Sequence, residues 1–159
     1  MGTANSTLVS NFEATPQVAN SAGLLHGNVR VAQGTIVVAA GDSDDNDIVM
    51  LAPIPSNATV SQLFVGSDTL GGSCTFNIGI YQTDGTVVDE DYFASAVADA
   101  AAMADVRFEA ANINTAGSKM YEMAGASTDP GGFYYIAATM AAAGGTEGDM
   151  SFNINYIVN

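Results

Sequence analysis

In CTFNIGIYQTDGTVV, residues 74–88, apolar side chains fall on every second position at Cys74, Phe76, Ile78 and Ile80, while Thr75, Asn77, Gly79 and Tyr81 take the other face. A period of two marks a strand with one buried face. The alternation runs into Thr83-Asp84-Gly85-Thr86, and Asp-Gly is a strong hairpin signal because it tolerates positive φ at both central positions of a tight turn. Thr86 to Val88 is then the returning strand.

Similar runs lie on either side. Val29 to Ala40 is rich in Val and Ile, and Gly34 within it suggests a bulge or two short strands. Asp47 to Ala52 is a short apolar run closed by Pro53 and Pro55, and Thr59 to Val65 is another strand candidate. Gly132 to Thr139 is apolar on both faces, as a covered strand requires, and Met150, Phe152, Ile154, Tyr156 and Val158 alternate with Ser151, Asn153, Asn155 and Ile157. Ala141 to Gly148 reads as the turn between them. Arg107 to Ala110 is a weaker strand candidate, and Ser118 to Ala124 fits a helical turn.

Two stretches depart from this pattern. Phe93, Ala96, Val97, Ala100, Met103 and Ala104 recur at helical spacing behind Asp89, Glu90 and Asp91, carboxylates that favour a helix start. The spacing predicts one short helix over Asp89–Asp105. Residues 1–28 are polar, with Leu8, Phe12 and Val18 scattered among Ser, Thr, Asn and Ala, and predict an extended N-terminal arm laid on a partner, with a disordered leader as the alternative. About eight short strands separated by Gly, Pro, Asn and Asp clusters define an all-β fold, a β-sandwich of jelly-roll type over residues 29–159.

Composition narrows the function. The chain has 159 residues, enough to bury roughly 70% of its unfolded surface without a disulfide or metal. Three bases (Arg30, Arg107, Lys119) face 17 acids, a net charge of −14. So few cations cannot displace counterions from DNA or RNA, and an anionic membrane would repel the chain. No nucleic-acid or membrane partner is expected, whereas a protein partner is. No secretory leader and no membrane-spanning run are visible in the sequence.

Chemistry finds little support. His26 and Cys74 are the single residues of their kinds, and Cys74, alternating with Phe76 and Ile78, reads as a small core side chain. Gly71-Gly72-Ser73 makes no nucleophile elbow, and Lys119 has no phosphate-binding spacing before it. Asp42-Ser43-Asp44-Asp45-Asn46-Asp47 resembles the start of a calcium loop, but its sixth position is Asp47 instead of Gly and its twelfth is Pro53 instead of Glu. A solvated acidic loop is the plainer reading, with a weak surface calcium site as the alternative. Asp84, Asp89, Glu90 and Asp91 could pair for glycosidase chemistry, yet hairpin and helix-start roles already account for them. Phe133, Tyr134 and Tyr135 suit a core and an interface equally. No catalytic, cofactor-binding or metal residue is assigned, and the chain is not read as an enzyme.

Pro55-Ser56-Asn57-Ala58, following a strand and an acidic turn, and then Gly79-Ile-Tyr-Gln-Thr-Asp-Gly-Thr-Val-Val-Asp-Glu-Asp-Tyr-Phe-Ala-Ser-Ala96 resemble the capsid decoration, or cement, proteins of tailed bacteriophages. The resemblance covers about residues 28–97. It implies a jelly-roll subunit on the outer surface of a virion, bound to the major capsid protein, assembled as a homo-trimer, and bridging capsid subunits so as to stabilise the shell. The arm would lie along the shell. Rival readings are a phage tail- or fibre-associated glycan-binding jelly roll, a small hydrolase, and a calcium-held surface module.

Overall fold

The computed structural model describes residues 5–21, 23–110 and 113–158. Among them are eight strands: β1 (Val29–Val38), β2 (Ile48–Pro55), β3 (Ala58–Ser67), β4 (Thr75–Tyr81), β5 (Val87–Ala98), β6 (Ala104–Asp105), β7 (Phe133–Ala142) and β8 (Gly148–Val158). Helices among the described residues are α1 (Thr7–Glu13), the single turn α2 (Met120–Met123) and two 3₁₀ turns.

The strands form two four-stranded antiparallel sheets, ordered β1-β8-β3-β6 and β2-β7-β4-β5. The pairing is nested: β1 with β8, β2 with β7, β3 with β6 and β4 with β5. One long hairpin folded into two sheets produces this order, which is the jelly roll. Between the sheets lie Ile54, Leu63, Phe76, Ile78, Ile80, Phe93, Ile136, Met140 and Ile154, all without exposed surface. The period-two residues of β4 and β8 are the ones that enter this core, and β7 is covered on both sides over Ile136–Met140.

The helix expected over Asp89–Asp105 does not form. Residues 87–98 are β5, and its pairing with β4 shifts from Ile80↔Asp89 to Ile78↔Ala94. The inserted residues close over Gly79, where a Cβ would overlap the backbone of Asp89 and Glu90. Each register shift reverses which side chains face inward, and this mimics a 3–4 spacing in sequence. Ala96, between the partners of Phe76 and Ile78, takes a left-handed backbone angle (φ 54°) at one of these irregularities, and Ala100, just past the strand, takes another (φ 53°).

Other differences are smaller. Gly34 interrupts nothing: β1 runs unbroken in register with β8, and Gly34 leaves room for the Phe152 ring, which lies 3.2 Å from where a Cβ would be. β2 continues through Pro53 and Pro55, as an edge strand permits. Arg107–Ala110 is a turn, and the short pairing strand is Ala104–Asp105. In the Asp-Gly hairpin only Gly85 has positive φ (88°), and Gln82 and Thr86 close the loop through the Gln82 amide to the Thr86 carbonyl at 2.8 Å. The arm is not extended throughout, because residues 7–13 form α1, capped by the Ser6 hydroxyl. Residues 1–4 lie outside the described residues.

Candidate interaction surface

The outer face of the β1-β8-β3 sheet is built by alternation. Val31, Asn155 and Gln62 form one row across the three strands, Gln33, Asn153 and Phe64 the next, and Thr35, Ser151 and Gly66 a third. None of these nine residues is charged, on a chain of net charge −14. Their polar groups bond one another: Asn155 Nδ2 donates to Gln62 Oε1 at 2.8 Å, Asn153 Nδ2 to Gln33 Oε1 at 3.2 Å, and the Thr35 and Ser151 hydroxyls lie 2.8 Å apart. Removing water from such a face exposes no unpaired charge, so the desolvation penalty that opposes burial of charged groups is small.

Both ends of this face are bounded by other segments. At one end the chain at residues 101–103 crosses β3 over Gly66, where a Cβ would come within 2.7 Å of the Met103 amide nitrogen. At the other, the arm and the loop before α2 meet around Leu8, Leu24, Phe108, Gly117 and Ile157, which line an apolar pocket. Thr59 donates its hydroxyl to the Gly117 carbonyl at 3.3 Å there. The arm is pinned to itself by Asn11 Nδ2 to Asn20 Oδ1 (2.8 Å) and Asn20 Nδ2 to the Leu8 carbonyl (3.1 Å), while α1 buries none of its residues.

Behind the face sits a group that the sequence did not single out. Arg107 has no exposed surface. Its Nε donates to the Val60 carbonyl at 3.0 Å, and its terminal nitrogens reach the Thr115 carbonyl and hydroxyl and the Met123 sulfur at 3.3–3.4 Å. The guanidinium lies over the Phe93 ring at 5.1 Å and the Phe108 ring at 4.4 Å. Burial pulls its pKa down, yet carbonyls and ring faces stabilise the cation. It ties β3 to the long connection between β6 and β7. Nothing in its spacing announces this: only its place beside Val106, in an apolar turn, hints at burial.

The residues weighed for chemistry are dispersed. Cys74 is buried against Met140 (Sγ to Sδ 3.9 Å), while His26 is exposed and lines a groove with Phe12 and Val18. Burial, and then the charge of Asp99, push the Cys74 pKa up, so the thiol stays protonated. The Asp42–Asp47 loop closes on itself. Asp47 Oδ2 accepts from the Asp44 amide at 2.9 Å, and Asn46 and Asp47 exchange backbone bonds with Met140. Among the described residues no group of three or more His, Cys, Asp or Glu is placed to hold a metal ion. Asp89 has its pKa raised by partial burial, then by Asp91. Tyr134 is in the core, whereas Phe133 is exposed at the start of β7.

No family model and no curated protein matches the chain. Among solved structures, it is similar to a chain of the cyanophage Pam1 capsid asymmetric unit, with 17% identity and a TM-score of 0.56 over 100% of both chains. It is also similar to a chain from the capsid of Ralstonia phage GP4 (17% identity, 84% of this chain and 86% of that one, TM-score 0.49). A third is from the acidic stable capsid of Helicobacter pylori bacteriophage KHP30 (12%, 82% and 87%, 0.41). The Pam1 likeness shows a shared fold from end to end.

Proposed function

We propose that this chain is a structural virion protein of a tailed phage that binds the outside of the capsid and stabilises the shell by bridging capsid subunits. The observation that carries the reading is the end-to-end likeness of fold to a chain of a phage capsid. Two features support it independently: the run Gly79–Ala96, which resembles decoration proteins, and the charge-free rows on an otherwise acidic chain. The partner is the major capsid protein, and the contact surface is the β1-β8-β3 face together with the arm.

The mechanism is additive binding. Each copy buries uncharged surface across neighbouring subunits, and many copies raise the free energy needed to separate them. A position outside the shell suits a chain with three bases, since it need not touch packaged DNA. The role requires no catalytic residue, cofactor or metal.

Co-sedimentation with shells of the major capsid protein from the same genome tests the reading. Saturable binding is expected, and the double variant Gln62→Glu, Asn155→Asp, which places charge on the face, should lose most of it. Absence of the unaltered chain from the shell pellet at any concentration would overturn the proposal.

A further inference from the structure

The sandwich has four sheet edges, and three of them are blunted. β2 carries Pro53 and Pro55; β6 is two residues long; β5 presents Asp89, Glu90 and Asp91 and shifts register three times. Prolines, charges, bulges and shortness are the ordinary devices that stop an edge from pairing with another strand. Of these β1 has one, the single charge of Arg30 near its start. It is ten residues long, in unbroken register, without Pro or acid, and no other described segment pairs with its outer edge. Val29, Val31 and Val37 are 58%, 53% and 64% exposed along it.

We infer that β1 is a pairing edge for a second copy of this chain, joined antiparallel across a two-fold axis at Gly34 so that two four-stranded sheets become one of eight. The strand is self-complementary in that register. Val31 meets Val37 of the second copy and Gln33 meets Thr35 on the outer face, while Ala32 meets Ile36 on the inner face. These are β-branched, polar and apolar matches respectively. A register two residues earlier sets Ile36 against Arg30 and Ala32 against Gly34.

Charge selects the same register. Arg30, the single ionic residue of β1, falls opposite Val38 of the second copy and on the same side of the sheet. Val38 lines a groove between β1 and β2 together with Asp42 and Asp47. The cation of each copy is thereby delivered to the acidic loop of the other, twice over by symmetry. The pairing also doubles the uncharged outer face. It sets a unit of two copies where the family resemblance implies three, and it does not depend on the capsid reading.

The test is the solution mass of the full chain by light scattering after size exclusion. A particle of twice 16.2 kDa is expected. Val31→Lys with Val37→Lys puts like charges directly opposite at two exposed positions and should yield a monomer with an unchanged circular dichroism spectrum. Val31→Lys with Val37→Glu makes the same positions complementary and should restore the dimer. A monomeric or trimeric unaltered chain, or a dimer indifferent to the two-lysine variant, would overturn the inference.

Discussion

Arg107 and Val60 are joined by a hydrogen bond from the guanidinium Nε to the backbone carbonyl at 3.0 Å, made where the arginine has no exposed surface. A cation held by carbonyls, a hydroxyl and two aromatic rings ties β3 to the long connection that carries α2.

Replacing Arg107 by Met keeps much of the volume but removes the guanidinium donor to the Val60 carbonyl, while the Thr115 carbonyl keeps the Ser118 amide at 3.0 Å. A buried polar group that loses its partner costs about 1–3 kcal/mol, so a loss in that range is expected. Arg107→Lys should recover little of it, because one ammonium cannot span Val60 and Thr115 together. Urea unfolding midpoints of the three proteins check this.

Gly79→Ala forces a Cβ into the backbone of Asp89 and Glu90, whereas Gly41→Ala meets nothing within 4 Å. Overpacking against backbone should cost about 3 kcal/mol or more in the first case, and the second should stay within about 0.5 kcal/mol. Thermal melts would show one large shift and one negligible shift.

Cys74 should resist a thiol reagent in the folded protein and react fully once unfolded, since burial keeps the sulfur covered and protonated. Fast labelling of the native thiol would contradict its core placement and revive a nucleophilic role.

Acid stability has two opposing contributors. The Ser56 hydroxyl, the Gly131 amide and the charge of Lys119 lower the Asp129 pKa, so its stabilisation is present above the unfolded value of 3.8 and is lost as pH falls through the folded pKa. Asp89 has its pKa raised, so its charged form disfavours folding, and stability is gained as pH falls through its folded pKa toward 3.8. Asp129→Asn should therefore flatten the acid-side fall in melting temperature, and Asp89→Asn should raise the melting temperature at neutral pH.

The fold was legible wherever one face of a strand meets the core. Cys74, Phe76, Ile78 and Ile80, and the alternating half of β8, are buried as their spacing implied, and nested hairpins of such strands make the jelly roll. β5 was misread because its register shifts scramble the alternation, and a three-residue insertion over Gly79 has no local signal. α1 was missed for lack of an apolar stripe, since none of its residues is buried. The uncharged face was half visible: Ser151, Asn153 and Asn155 declared an outward row, but their partners Thr35, Gln33 and Gln62 emerge only once β1 and β3 flank β8. Arg107 was invisible because its partners are backbone carbonyls and rings brought from Val60, Phe93 and Thr115.

The most direct measurement is the temperature at which shells of the major capsid protein come apart, taken with and without this chain. Ligand bound only by the intact state stabilises it by about 2.7 kcal/mol per site at a hundredfold excess over Kd. The account predicts a disruption temperature that rises with added protein and saturates when the sites are full. An unchanged disruption temperature at saturating protein would contradict it.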